Sequence, residues 1–184
     1  MIILEAKDLY LRPLKIEDAQ GNYPRWLNDK EVCKYNSHGD VLYTKEMAVD
    51  YIKMVNGSKI DKVFAIVIKG SEKYIGNISL QCISIKNKNA EFAILIGEKD
   101  YYNKGYAKQA SRILLRYGFE ELNLHRIYCG TSIHNIPMQK LADSLGMKKE
   151  GQRIEAFFKN GQYVDLIEYG LLKKDFKYEK KTDK

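Results

Sequence analysis

The chain has 184 residues, of which 45% are hydrophobic and 30% are charged, a composition typical of a globular protein with a sizeable core. Its apolar runs fall short of the roughly 20 residues that a membrane-spanning helix needs. The first five residues also lack the basic and long apolar stretches of a signal peptide. We therefore expect one cytoplasmic domain over residues 1–184, with no membrane partner.

The cysteines and histidines indicate neither a disulfide framework nor a metal site. The three cysteines (Cys33, Cys82 and Cys129) include no Cys-x-x-Cys pair, and the three histidines show no metal-ligand spacing. We expect reduced thiols and no bound metal.

The formal net charge of +7 favours an anionic ligand. Part of the basic excess lies in a tail that we expect to be frayed from about residue 174. Aromatic and basic residues do not alternate as they do in a single-strand-binding platform, so we expect no nucleic-acid partner. A phosphate-rich cofactor remains a natural ligand for such a chain.

The first part of the chain predicts a strand followed by two helices. Residues 9–14 begin as a strand, and Ile16 to Leu27 is predicted to be helical. Thr44 is a favourable N-cap for a second helix over Lys45–Val55. At i, i+4 and i+7 spacing, the predicted buried face of that helix contains Met47, Tyr51 and Met54.

Strand-like runs separated by Gly and Asn turn signals follow, and they predict antiparallel hairpins. These runs are Val63–Ile68, Tyr74–Ile85 and Ala90–Ile96.

The second half of the chain alternates helices and strands. The predicted order is a helix over Ala107–Leu122, a strand over His125–Thr131, a helix capped by Asn135, and two strands over Lys148–Phe158 and Tyr163–Leu172. The strand–helix–strand crossover between residues 90 and 131 requires a parallel pair inside an otherwise antiparallel sheet. The fold class is therefore mixed α/β, with helices flanking a mostly antiparallel sheet and a cleft where the parallel strands diverge.

The loop before the long helix is the most informative segment. Backbone N–H groups at a helix N-terminus bind phosphate or pyrophosphate, and Gly105 lets a ligand approach the backbone closely. Lys104 and Lys108 add positive charge. The segment is neither a GxxxxGK[ST] phosphate loop nor a GxGxxG fingerprint.

This loop resembles motif A of the GNAT superfamily of N-acetyltransferases, whose usual pattern is Gln/Arg-x-x-Gly-x-Gly/Ala. Here Gly105 and Ala107 match and Tyr102 departs, as in the branch that resembles the ribosomal-protein (Rim) acetyltransferases. Downstream, Asn135 followed by Leu145-Gly146-Met147 is similar to the family's Asn-x-x-Ser…Leu-Gly-Phe segment. The resemblance covers nearly the whole chain and extends to the spermidine and amino-sugar acetyltransferases.

The resemblance implies that acetyl-CoA is the acetyl donor and assigns residues to it. The backbone of Ile94, Leu95 and Ile96 would face the pantetheine arm, and Asn135 would contact it from the next strand's end. Helix capping is an equally open role for Asn135. The residues implied to hold the pyrophosphate are Tyr102, Asn103, Lys104, Gly105, Tyr106, Ala107 and Lys108.

The resemblance also implies the catalytic groups. The amine must be uncharged to attack a thioester, and Glu91 matches the position of a frequently proposed base; an exposed strand carboxylate is the alternative. The usual acid is a tyrosine at the position of Ala142, so the proton donor is open, with Tyr128 and Cys129 as alternatives. A nucleophile built from Cys129 and His134 lacks a third partner.

The acceptor amine has several candidates. The segment from Arg25 to Val32 with Tyr35 looks like enzymes that act on nucleotide-linked amino sugars, and that anionic substrate suits a basic chain. We therefore predict an amino sugar, with Trp26, Tyr35 and Phe158 as substrate-binding residues, although Trp26 is equally a candidate core anchor. A polyamine or a protein N-terminus is the alternative, and a homodimer is possible.

Two other classes of protein remain open at this stage. A non-catalytic acyl-CoA-binding regulatory module would retain CoA affinity without turnover. A basic nucleic-acid binder would show a steep salt dependence.

Overall fold

The computed structural model describes residues 3–177, and within them eight strands form one sheet. The strands are β1 (Leu4–Glu5), β2 (Leu9–Pro13), β3 (Lys62–Ile68), β4 (Lys73–Ser84), β5 (Asn89–Ile96), β6 (Arg126–Ser132), β7 (Lys148–Lys159) and β8 (Gln162–Leu172). Their spatial order is β1-β2-β3-β4-β5-β6-β8-β7, and in the described chain only β5 and β6 pair in parallel. The predicted mixed sheet with one parallel pair is confirmed.

Four α-helices cover the two faces of this sheet. They are α1 (Tyr23–Asn28), α2 (Lys45–Gly57), α3 (Tyr106–Glu120) and α4 (Ile136–Ser144), with short 3₁₀ helices at Ile16–Gln20, Lys99–Tyr101 and Lys173–Asp175. The Thr44 side chain accepts a hydrogen bond from the N–H of Met47, which confirms the predicted cap of α2. None of the helices described between residues 3 and 177 is both long and apolar enough to cross a membrane.

The alternation of side chains along the strands divides the core into two layers. Ile78, Leu80 and Phe92 pack against α3 and α4 on one face. Ala65 and Val67 pack against α1 and α2 on the other face. Strand β3 reads almost continuously apolar because helices cover both of its faces.

The sequence predicts one apolar face on α3, and the structure confirms it by burying that face in the first of these layers. The residues of this face are Ala110, Ile113, Leu114, Tyr117 and Gly118. Gly118 lies on this face, where a Cβ atom would come within 2.8 Å of side-chain atoms of Ile127 and Leu80. The missing side chain therefore lets the helix approach the sheet closely.

The single helix predicted over Ile16–Leu27 is wrong in extent. The segment forms a 3₁₀ helix over Ile16–Gln20, breaks at Gly21 and resumes as α1. Arg12 holds the first piece, because its guanidinium forms two hydrogen bonds to Asp18, at 2.7 and 2.8 Å. Pro24 in the first turn of α1 lacks an N–H and would clash with the carbonyl of Gln20 in a continuous helix, so the chain begins a new helix there.

The predicted buried face of α2 is wrong for two of its three residues, while Tyr51 is half-buried and packs against the second core layer. Ala48, Ile52 and Val55 are buried, while Met47 is 46% and Met54 61% exposed. Both sets have i, i+4, i+7 spacing and lie one residue apart, so periodicity alone could not choose between them.

The start of the predicted tail packs against the domain. Phe176 packs on Phe119 with ring centroids 5.1 Å apart, and the residues before it form the last 3₁₀ helix. The rest of the predicted tail, residues 178–184, lies outside the described chain.

Candidate active site

The parallel strands β5 and β6 pair over a short stretch and then separate. Their paired residues are Asn89–Glu91 on β5 and Arg126–Tyr128 on β6. Beyond them β5 remains paired with β4 and β6 with β8, while the two strands no longer pair with each other in the described structure. The backbone of residues 92–96 therefore faces that of residues 129–132 across a gap. This gap, which we call the wedge, is the cleft that the sequence predicts.

The mouth of the wedge is formed by the loop before α3. The Tyr102 hydroxyl donates to the carbonyl oxygen of Ile96 at 3.1 Å, which ties the loop to the end of β5. Gly105 is the N-cap residue of α3 with φ +81°, and no side chain caps this helix. A Cβ atom at Gly105 would meet nothing within 4 Å, so the first N–H groups of the helix lie open to a ligand.

Lysine side chains give this mouth a positive character. Lys104 and Lys108 are exposed, and Lys104 Nζ lies 5.8 Å from the centroid of the Tyr101 ring. Positive charge beside an uncapped helix N-terminus favours a phosphate group.

Asn135 lies after the end of β6, on the other side of the mouth. Its side-chain oxygen accepts from the N–H of Met138 at 3.3 Å, and its amide nitrogen donates to Thr131 Oγ1 at 3.0 Å. The capping role is therefore real, and a cofactor contact would have to come in addition to these two bonds.

Glu91 lies at the vertex of the wedge. It is directly opposite Gln81 on β4 and Tyr128 on β6, so the three side chains share one face of the sheet. That face is the one on which Leu95 packs toward α1 and α2.

A second carboxylate on this face, Glu168 of β8, was missed by sequence reasoning. A Cβ atom on Gly130 would lie 3.2 Å from Glu168 Oε1, so the carboxylate covers the strand backbone two residues beyond Tyr128. Arg153 Nε donates to the same oxygen at 2.6 Å, from a side chain that is 62% exposed. The glycine at position 130 is the one sequence signal that a neighbouring side chain lies over β6.

The charges on this face act on Tyr128. Burial raises the pKa of the Tyr128 phenol, and the negative charges of Glu91 and Glu168 raise it further, while Arg126 acts in the opposite direction. Arg126 is itself paired with Glu150 through two hydrogen bonds. At neutral pH, Tyr128 is thus a neutral phenol beside two carboxylates.

The other two positions considered for the proton donor are unsuitable. Ala142 is fully buried, and its methyl group has no proton to donate. Cys129 faces the opposite core layer, with its sulfur 3.9 Å from that of Met147, and burial raises its pKa to about 12. Of the two alternative donors, Tyr128 is the one on the face of Glu91.

The three predicted substrate-binding residues differ in their accessibility. Trp26 is only 4% exposed, and its indole N–H donates to Glu98 Oε1 at 2.9 Å, so it is a core anchor and we no longer assign it to the substrate. Phe158 is 57% exposed and packs on Tyr163 with a centroid distance of 5.0 Å. Tyr35 is half-buried in the loop between α1 and α2, with the Lys34 ammonium over its ring.

A buried lysine joins that loop to the β7–β8 hairpin. Lys159 is 8% exposed, and its ammonium donates to Asp40 Oδ2 at 2.8 Å and to the carbonyl of His38. A cavity of about 200 Å³ beside this pair is lined by Lys30, Gly39, Asp40, Lys159 and Asn160. Nothing in the sequence indicates this contact, because Lys159 reads only as part of a turn.

Residues 3–177 contain no group of three or more His, Cys, Asp or Glu side chains that could hold a metal ion.

A sheet split by diverging parallel strands, with an uncapped helix N-terminus at its mouth, defines the acetyltransferase class of α/β folds. The spermidine N-acetyltransferase of Vibrio cholerae, solved in complex with CoA and spermine, has this fold with a TM-score of 0.83 and 25% identity, over 91% of our chain and 97% of its own. The family model for the acetyltransferase (GNAT) domain matches residues 8–148 of the sequence. The chain therefore belongs to this family of N-acetyltransferases.

Relatives along the whole chain support the same assignment. The uncharacterized N-acetyltransferase p20 of Bacillus licheniformis is 31% identical over 179 residues, covering 96% of our chain and 99% of its own. The spermidine N(1)-acetyltransferase of Escherichia coli K12 is 29% identical over 178 residues, covering 96% and 92%. The resemblance inferred from the sequence is therefore confirmed at the level of the family.

Proposed function

We propose that the protein transfers the acetyl group of acetyl-CoA to a small primary amine bound at the vertex of the wedge. The observation that carries this proposal is the divergence of β5 and β6 just beyond Glu91, beside an open helix N-terminus. One end of the gap suits a diphosphate, and the other end presents acid–base groups.

The residues around the mouth suit acetyl-CoA as the donor substrate. The uncapped N–H groups of α3, the open space at Gly105 and the nearby lysines supply what a pyrophosphate needs. The unpaired backbone edge at Ile94–Ile96 offers hydrogen-bonding groups to an extended arm. Asn135 completes the proposed donor site from the β6 side.

In this proposal, Glu91 receives the proton that the amine loses on acetylation. A carboxylate on the face open to the acceptor is suited to this role, and a positioned general base contributes about 10²–10⁴-fold to a rate. Gln81 and Tyr128 lie directly opposite it on the two neighbouring strands.

A cationic amine is the acceptor class that the local charges favour most. Glu91 and Glu168 place two carboxylates on the same face, and the Arg153 side chain that pairs with Glu168 is 62% exposed. Salt screens charges over about 8 Å, so Glu91 at the vertex outweighs the distant net charge of +7. The E. coli and V. cholerae relatives are named for spermidine. A polyamine therefore moves ahead of the amino sugar as our proposed substrate.

A nucleotide-linked amino sugar remains the second candidate because of the basic cavity. Lys30 and Lys159 line about 200 Å³ of space next to the loop that carries Tyr35, and lysine ammonium groups attract phosphate. Asp40 opposes this attraction by pairing with Lys159.

A CoA-release screen tests the function and separates the two substrates. The panel contains spermidine, spermine, a nucleotide amino sugar and N-terminal peptides, each with saturating acetyl-CoA. We expect turnover with the polyamines, and reduced turnover in a Glu168→Gln variant. Turnover confined to the amino sugar would transfer the assignment to the second candidate. Binding of acetyl-CoA without turnover on any amine would make the protein a regulatory module instead.

A thermal-shift measurement tests the donor separately. A ligand present at 100 times its dissociation constant stabilises the fold by about 2.7 kcal/mol, which gives a visible shift. No shift at millimolar acetyl-CoA, by calorimetry as well as by dye, would remove the donor assignment.

A further inference from the structure

We propose that Glu91 and Tyr128 form a proton relay across the β5–β6 pair, in which Glu91 takes the proton of the amine and Tyr128 protonates the departing thiolate. This inference rests on the proposed acetyl transfer and assigns its missing proton donor.

The first support is the position of the two residues. They are the last paired residues before the strands separate, so they stand together where the wedge begins. Neighbouring strands lie about 4.8 Å apart, so a carboxylate and a phenol that stand opposite each other on one face can meet directly or through one water.

The second support is the chemistry, which balances without any further reactant. The neutral amine forms a C–N bond to the acetyl carbon, and the C–S bond breaks with its electron pair on sulfur. Sulfur takes the phenol proton of Tyr128, and Glu91 takes the surplus proton of the amide nitrogen. Transfer of that proton from Glu91 to the phenolate restores both side chains.

The third support is the set of charges around the phenol. The groups that act on it are Cys82 on β4, Glu91 on β5, Arg126 on β6 and Glu168 on β8. Strand β7 adds two partners, Glu150 paired with Arg126 and Arg153 paired with Glu168. While Glu91 is ionised, its charge helps to keep Tyr128 protonated. Once Glu91 accepts the amine proton this charge disappears, and Tyr128 becomes a stronger acid when the thiolate needs its proton.

Kinetic variants test the relay. Tyr128→Phe should lower kcat on a verified amine about 10²-fold, with the KM for acetyl-CoA and the acetyl-CoA thermal shift unchanged. Substitutions of groups that act as one unit have non-additive effects. The kcat of the double variant, Glu91→Gln with Tyr128→Phe, should therefore be at most about threefold lower than the kcat of the slower single variant. Tyr10→Phe is the matched control, because its hydroxyl bonds Glu72 far from the wedge. Fully additive losses, or a normal kcat in Tyr128→Phe, would overturn the relay.

Titration of the phenol gives a readout that does not depend on turnover. With ¹³Cζ-labelled tyrosine, the signal assigned to Tyr128 should titrate above the ordinary tyrosine pKa in the wild type and at lower pH in Glu91→Gln. An unchanged titration would show that the two groups are not coupled, and would refute the relay. A wild type that acetylates no amine in the panel would instead refute the proposed function itself, a result distinct from a normal Tyr128→Phe enzyme.

Discussion

Replacement of Gly105 by Asp should abolish most of the affinity for acetyl-CoA while leaving the fold intact. A Cβ atom at this position would meet nothing within 4 Å, so the new side chain causes no steric clash in the protein. The residue has φ +81°, a region that Asn and Asp tolerate better than other L-residues. The expected cost to stability is therefore about 1 kcal/mol.

The charge of the new carboxylate determines the loss of binding. Two like charges about 5 Å apart repel by about 3 kcal/mol at an effective dielectric constant of about 20, which corresponds to roughly a hundredfold in Kd. Gly105→Asn is the matched control, since it has the same shape and backbone tolerance without the charge. Isothermal titration with acetyl-CoA should show a weak Asp variant and a much less affected Asn variant.

Equal affinities in the two variants would refute the argument. If Gly105→Asp and Gly105→Asn both bind acetyl-CoA as the wild type does, the pyrophosphate does not lie at the N-terminus of α3. If both lose binding equally, the shape of the new side chain weakens binding, and repulsion between like charges does not.

Three further predictions concern the core, acid stability and catalysis. Gly97→Ala should destabilise the fold by about 3 kcal/mol in urea melts, because the new methyl group would overlap the Trp26 ring. Gly57→Ala is the control, since open space surrounds Gly57 and the substitution should not destabilise the fold. Equal stabilities of the two variants would contradict the packing of Gly97 on Trp26. Burial alone would raise the pKa of Glu98, but hydrogen bonds from Lys73, Trp26 and Asn22 outweigh it and hold that pKa below its ordinary value. This stabilisation is present above the unfolded-state pKa of about 4.3 and disappears as the pH falls through the lower folded-state pKa. The melting temperature of the wild type should therefore fall more steeply below pH about 4 than that of Glu98→Gln. Parallel curves would exclude a stabilising role for the Glu98 carboxylate. Glu91→Gln should lower turnover most near neutral pH and recover partly at higher pH, where solvent base accepts the proton in place of Glu91. A pH–rate profile that coincides with the wild type would leave Glu91 without a catalytic role.

The parts of the fold that the sequence predicted are those with strong local signals. The long stripe of α3 and the requirement for a parallel pair followed from periodicity and chain connection alone. The face of α2 did not, because two stripes of equal spacing compete there and only contact with β3 selects one of them. The break at Gly21 could have been predicted, because Pro24 has no N–H to donate and would clash with the carbonyl of Gln20 in a continuous helix.

In the candidate site, too, the parts with local sequence signals were predicted and the parts that depend on long-range contacts were not. The mouth lies in one continuous segment around Gly105 and was predicted from it. The vertex combines residues from four strands, and bulges in β4 and β7 shift the register between neighbours. Glu168 is placed opposite Gly130 by the pairing of β8 with β6, a long-range register that sequence spacing does not contain. Lys159 meets Asp40 across 119 residues, and such a distant pair leaves no periodic trace in the chain.

The position of β8 between β6 and β7 has a consequence for synthesis of the chain. Strand β7 leaves the ribosome before β8, the strand that separates it from the rest of the sheet. Until then it is an unpaired strand, the kind of segment that templates aggregation. Its first residues, Lys148 to Arg153, are almost all charged or polar, and charges of this kind act as gatekeepers. The charges in the first half of β7 therefore act against aggregation during the interval before the last strand arrives.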